Sequence, residues 1–90
     1  MIFFTAHAKD KLQEEMKKFG ITQRIVKQIV GKPDELLFDA FMNRLVAVSW
    51  RRNLAVVYEK VNRDSIVITV IYSTQLKEMV DRRRRTGRWM

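Results

Sequence analysis

A chain of 90 residues, 47% hydrophobic, with three glycines and one proline, is expected to form one domain around one core, which excludes a disordered, fibrous or multidomain protein. It has no cysteine, so a disulfide framework and a thiolate zinc site are excluded, and its single histidine, His7, argues against a multi-imidazole metal centre. The net charge is +8, of which the last ten residues supply +4 (five Arg, one Asp); body and C-terminus are both basic, which suits RNA or another polyanionic partner.

The chain opens on Met1-Ile2-Phe3-Phe4, too short an apolar run for a signal peptide and with no basic residue ahead of it. No window is long and apolar enough for a bilayer span, so a cytosolic protein with no membrane partner is expected. From Thr5 to Phe19 the pattern predicts a helix. Thr5 can cap it, Ala8, Leu12, Met16 and Phe19 fall on one stripe, and Gly20 suits the left-handed residue just past its end. Thr22 can cap a second, shorter helix that buries Ile25, Val26, Ile29 and Val30 and stops at Gly31 and Pro33.

Four strands are predicted next, at about Leu36–Phe41, Arg44–Trp50, Leu54–Val61 and Ser65–Tyr72. They are rich in Val, Ile, Phe and Tyr and broken by turns at Asn43, Arg51-Arg52-Asn53 and Asn62-Arg63-Asp64. Connections this short force antiparallel neighbours, hence a meander. Ser73 or Thr74 then caps a last helix with Leu76, Met79 and Val80 inward, running into Arg82–Arg85. The expected fold is α+β: two N-terminal helices packed on one face of a four-stranded antiparallel meander, followed by a C-terminal helix. Residues 1–81 form the domain, and residues 82–90 a basic C-terminal tail.

Register follows from the turns. Centring the last turn on Arg63 pairs Tyr58 with Ile68, Val57 with Thr69 and Leu54 with Tyr72. Centring the middle turn on Arg52 pairs Val48 with Val56 and Trp50 with Leu54. One sheet face then carries Val46, Val48, Trp50, Leu54, Val56, Tyr58, Ile68, Val70 and Tyr72 as a core. The other is shallower and mixed, with Ser49, Glu59 and Thr69 flooring a groove or lying under a second copy of the chain, since Val57, Val67 and Ile71 share that side. Strand direction also puts Arg51 and Arg52 at the same end of the sheet as Tyr72 and Ser73.

No nucleotide loop, nucleophile elbow or zinc-protease signature is present, and no cofactor or metal is implied. A basic surface with one histidine is enough for metal-free RNA cleavage, which needs a base, an acid and cations around the crowded phosphate. His7 is a candidate proton carrier, Lys11 lies one turn later on the same helix face, and Glu59 is a further candidate carboxylate. Arg51 and Arg52 are candidate phosphate contacts, since a guanidinium fork holds two phosphate oxygens. Arg82, Arg83, Arg84 and Arg85 cover every side of a helical turn, so they cannot all face one ligand; they and Arg88 are read as nucleic-acid contacts or a solvated end. Trp89 stacks on a base or tucks onto the sheet. Tyr58 and Tyr72 are read as packing residues, and Ser49 and Thr69 as polar sheet positions.

Several short motifs resemble a known family. Phe4-Thr5-Ala6-His7 leading a helix, Lys11, Gly20-Ile21-Thr22 and Lys32-Pro33-Asp34 are similar to a widespread group of small prokaryotic domains of unknown function. Leu54-Ala55-Val56-Val57-Tyr58 and Ile68-Thr69-Val70-Ile71-Tyr72 are similar to its last two strands. That group looks like a branch of the RelE/ParE-like fold, whose best-known members are ribonuclease toxins neutralised by a small antitoxin. By this resemblance His7, Lys11 and Thr69 occupy characteristic positions, with lysine at 11 where the pattern has arginine. The resemblance implies a toxin-like, RNA-binding, metal-independent ribonuclease with a small acidic antitoxin as partner. Two alternatives stay open: a non-catalytic nucleic-acid-binding module, and a small homodimeric interaction protein.

Overall fold

The computed structural model describes residues 1–90. The chain begins with strand β1 (Ile2–Phe4) and helix α1 (Ala6–Lys11), which continues as a π-helical stretch over Leu12–Met16 and a 3₁₀ turn over Lys17–Phe19. Helix α2 (Gln23–Gly31) follows, then strands β2 (Glu35–Asp39), β3 (Arg44–Ser49), β4 (Leu54–Val61) and β5 (Asp64–Tyr72), and finally helix α3 (Leu76–Arg85). Asn43, Asn53 and Asn62 adopt positive φ (57°, 55° and 58°) at the last, last and first positions of the three hairpin loops. Asparagine is one of the few residues other than glycine that tolerates this conformation, which is why the chain turns at these three positions.

Both N-terminal helices start on their expected caps. The Thr5 hydroxyl accepts the Ala8 N–H at 3.1 Å, and the Thr22 hydroxyl accepts the Ile25 N–H at 3.3 Å. Gly20 ends the first helix at φ 72°. At the last helix Ser73 accepts the Gln75 N–H at 3.1 Å, and the helix itself begins one residue later without a side-chain cap.

The architecture is α+β, with three corrections to the expected sheet. First, the apolar opening residues are a strand: β1 pairs parallel with β5, Ile2 opposite Ser65 and Phe4 opposite Val67. The sheet therefore has five strands, is mixed, and is ordered β1-β5-β4-β3-β2. Second, the β3–β4 loop spans the four residues Trp50–Asn53, pairing Ser49 with Leu54 and Val48 with Ala55. One residue more than expected in the loop turns every β3 side chain to the other face. Third, helices cover both faces of the sheet. Leu54, Val56 and Tyr58 pack with Ala47, Val67 and Val70 under α1 and α2, while Val46, Val48, Ala55 and Val57 pack under Leu76, Val80 and Trp89. The face expected to stay shallow, or to meet a second subunit, lies beneath α3 and Trp89.

Pairing between β4 and β5 begins as expected, with Leu54 opposite Tyr72 and Val57 opposite Thr69. It then slips, and Tyr58 faces Val67 where Ile68 was expected. Ile68 is the extra residue of a β-bulge, which brings Val67 as well as Val70 into the core beneath α1 and α2.

The arginine run belongs to the folded domain. The boundary drawn after Asp81 falls inside α3, which continues to Arg85; Gly87 (φ 76°) then reverses the chain. Residues 88–90 lie along β2: Ala40 N–H donates to Arg88 C=O and Met90 N–H to Phe38 C=O, both at 2.8 Å. Trp89 is 1% exposed, and its indole N–H donates to Asp39 Oδ2 at 3.1 Å.

Asp39 gathers this corner. Its other carboxylate oxygen accepts the Phe41 and Met42 N–H groups at 3.0 Å each, and Arg88 Nε lies 3.5 Å from Oδ2. Burial pushes this carboxyl up, but the bonds from Met42 and Trp89, the Arg88 charge and the Phe41 bond together hold it below the ordinary carboxylate range. A depressed native value stabilises the fold above the unfolded pKa of about 3.9, and that stability is lost as pH falls through the native value. Thermal melts should therefore drop steeply below about pH 4, and an Asp39→Asn variant should lose less on acidification than the wild type. Parallel acid limbs for the two proteins would show that other carboxylates carry the effect.

Candidate functional site

The bulge in β5 is where distant parts of the sequence converge. Strand β1 covers β5 only as far as Val67, and the chain leaves the sheet there to enter α1. Thr5 makes the junction: its N–H donates to Val67 C=O at 3.1 Å, and its hydroxyl donates to the carbonyl of the bulged Ile68 at 3.2 Å. Because the same hydroxyl caps α1, one residue anchors the helix start to the bulge.

Two residues beyond Thr5 comes His7, and one turn further Lys11. Lys11 Nζ donates to Thr69 Oγ1 at 3.3 Å, and His7 Nε2 lies 3.5 Å from the same oxygen. The hydroxyl accepts from lysine, so its own hydrogen is free to turn toward imidazole, at the outer limit of a hydrogen bond. His7 is exposed and Lys11 and Thr69 are half-buried, so the group is accessible without being loose. The cluster borders a polar surface cleft of about 330 Å³ lined by His7, Asp10, Lys11, Glu14 and Glu15. No carboxylate pairs with Lys11, whose ammonium remains available to a ligand. A hydroxyl, an imidazole and a free ammonium within hydrogen-bond range can move a proton and steady an anion.

Glu59 stands apart from this group. Its Oε1 accepts from Arg44 Nε at 3.1 Å across the β3–β4 pair, making it one half of a strand salt bridge. Arg51 and Arg52 occupy the β3–β4 loop at the Tyr72 end of the sheet, as the strand directions require, and Ser73 N–H donates to Asn53 C=O there at 3.1 Å. They border a cleft of about 200 Å³ with Gln28, Lys32, Asp34 and Ser49. Lys32, Arg51 and Arg52 form no ion pair, so three cations border one concavity against a single carboxylate, Asp34. Asp34 is engaged with the Trp50 N–H at 2.9 Å, which steadies the loop.

The C-terminal arginines divide by role. Arg83 lies over the Trp89 ring, 4.5 Å from its centroid, Arg84 pairs with Glu35, and Arg88 pairs with Asp39. Burial, with the nearby Arg88 charge, lowers the pKa of Arg83. Arg82 and Arg85 are exposed and have no ion-pair partner. Trp89 tucks onto the sheet and is closed to a stacking base. Tyr58 is buried, which raises its hydroxyl pKa.

Thr5 as an anchor and Asp39 as a hub escaped the sequence reading. An aspartate closing the apolar run Leu36-Leu37-Phe38 ahead of a turn was the available signal for Asp39, since Asp bonds its own backbone there. No group of three or more His, Cys, Asp or Glu side chains is placed to hold a metal ion, and no helix is long and apolar enough to cross a membrane. No family model, curated protein or solved structure matches the chain.

Proposed function

We propose that this protein acts on RNA as a metal-independent endoribonuclease of the RelE-like, toxin type. The observation that carries the proposal is the meeting of His7, Lys11 and Thr69 at the β5 bulge, with Lys11 unpaired. His7 takes the proton of a 2′-hydroxyl, whose oxygen attacks the adjacent phosphorus. The bond from phosphorus to the 5′-oxygen breaks, and that oxygen takes a proton from the Lys11 ammonium or from water. The products are a 2′,3′-cyclic phosphate and a 5′-hydroxyl. Lys11 also meets the charge that gathers on the phosphate oxygens, and Thr69 positions both side chains. Asp10, Glu14 and Glu15 on the same cleft disfavour further phosphates there, which directs the RNA backbone toward the basic end of the sheet at Lys32, Arg51 and Arg52. A small acidic antitoxin would be the matching protein partner.

The direct test is incubation of purified protein with a labelled structured RNA in the presence of EDTA. Cleavage that persists under chelation, and is lost in the His7→Ala variant, is the expected result. Expression should arrest growth, and a His7→Ala, Arg51→Ala, Arg52→Ala triple variant should relieve the arrest; arrest of equal strength would remove these residues from the mechanism. The tail arginines should be tested as Arg82→Gln with Arg85→Gln, because truncation after Asp81 would also remove Trp89 from the core. The three unpaired cations at the sheet end also favour a second reading, a binding module without chemistry. Retention of RNA with a steep salt dependence and no cleavage would establish that reading.

A further inference from the structure

One exposed aromatic has no role in the site just described. Phe19 ends the first helix, is 44% exposed, and stacks on Tyr72 with ring centroids 3.9 Å apart and planes 16° from parallel. Leu12, Met16 and Ile21 are buried around this helix end, so the core there is closed without the Phe19 ring. Tyr72 is the last residue of β5, beside the loop that carries Arg51 and Arg52. Lys18 Nζ lies over the Phe19 ring, 5.2 Å from its centroid, so an incoming base must displace that flexible side chain, and neither Lys17 nor Lys18 has an ion-pair partner. A partly exposed aromatic backed by a second ring and flanked by free cations has the makings of a single-strand nucleic-acid platform, where a base stacks and its phosphates meet lysine and arginine.

Spacing ties this platform to the reacting cluster. Thr69 and Tyr72 are three residues apart on one strand, roughly 10 Å. Lys11 and Phe19 are eight residues apart along the same helical segment, where the longer rise of the 3₁₀ turn offsets the tighter π-helical stretch, roughly 12 Å. The two routes agree, and at about 3.4 Å per stacked nucleotide the gap spans about three nucleotides. We infer that Phe19, supported by Tyr72, stacks a base of single-stranded RNA about three nucleotides from the phosphate at His7, Lys11 and Thr69. The inference rests on the RNA reading above and adds to it a strand type and a shortest length that can reach both points.

Fluorescence anisotropy with fluorescein-labelled oligoribonucleotides of about two and about eight nucleotides tests it. Phe19→Ala and Phe19→Leu should each weaken the longer oligomer by about five- to a hundredfold while leaving the shorter nearly unchanged, and Phe19→Trp should restore the wild-type length dependence. Leucine keeps the apolar bulk, so melting of Phe19→Leu near the wild-type temperature separates lost stacking from lost folding. Wild-type affinity for the longer oligomer in both Phe19→Ala and Phe19→Leu overturns the platform, whether or not the protein cleaves RNA. Stack-dependent binding without cleavage leaves the platform standing and removes the ribonuclease. Failure of the wild type to bind either oligomer overturns both.

Discussion

Trp89→Ala should be the most damaging single substitution, lowering stability by about 3–5 kcal/mol. The ring is 1% exposed and packs with Leu37, Val46, Val48, Leu76 and Val80, so truncation leaves a large cavity between β2 and α3. It also deprives Asp39 of the indole N–H and Arg83 of the ring beneath it. For a domain of this size total stability is about 5–15 kcal/mol, and each kcal/mol moves the midpoint by roughly 4–8 °C. A fall of more than about 12 °C in Tm is expected on that scale. Trp89→Phe narrows the loss: it keeps one six-membered ring and removes the indole donor with part of the buried volume, and leaving the Asp39 oxygen without that bond alone costs about 1–3 kcal/mol. The competing view, that Trp89 is a base-stacking residue, makes the opposite forecast, with Tm unchanged and RNA affinity reduced. Calorimetry of the two variants decides it.

Trp89 also shows where sequence reasoning stops. An aromatic beyond a glycine at a basic end suggests docking, but its seat depends on Asp39, some fifty residues earlier, and on a β2 edge free to accept residues 88–90. Local features were readable because they have local causes. Thr5 and Thr22 cap, Gly20 terminates, and three asparagines turn the chain within a few residues of themselves. Face assignment was not local. The middle loop holds four residues, and that one extra residue exchanged Val46, Val48 and Trp50 for Leu45 and Ala47 on the side facing α1 and α2. Alternation in β3 is weak, with Leu45, Val46, Ala47 and Val48 all apolar, because both faces of that strand are covered. The same lack of contrast hid the second helical layer.

The candidate site was legible through its parts more than through its geometry. Helical spacing places Lys11 one turn from His7, and the resemblance adds Thr69 as a third position. What joins the three is the bulge at Ile68, which has no mark in Ser65-Ile66-Val67-Ile68-Thr69, since no glycine or polar break signals the extra residue. Parallel pairing of β1 was equally silent: three apolar residues at a chain start show no period. Yet that pairing brings Thr5 to Val67 and Ile68 and so delivers His7 to Thr69. Two small irregularities, a missed strand and a missed bulge, account for the site being assembled in space and only suggested in sequence.

Replacing His7 should separate chemistry from binding. His7→Ala is expected to lower kcat for RNA cleavage by about 10²–10⁴-fold, the usual contribution of a positioned proton carrier, with RNA affinity changed little. His7 is exposed, so Tm should stay within the narrow range of an ordinary surface change, about 0.5 kcal/mol or less. Lys11 should behave differently. In the proposed mechanism Lys11 meets ground-state and transition-state phosphate alike, so Lys11→Ala should lower affinity and kcat together. Lys11→Arg should retain activity, because a guanidinium supplies the charge together with a fork suited to two phosphate oxygens. Thr69→Val tests positioning: it removes the oxygen shared by His7 and Lys11 while keeping the shape of a β-branched strand residue. The expected signature is a lower kcat with RNA affinity changed little, since both side chains lose the oxygen that orients them. If His7→Ala keeps full activity while Lys11→Ala loses it, the cluster is an anion seat, and the proton is carried by a group elsewhere on the surface.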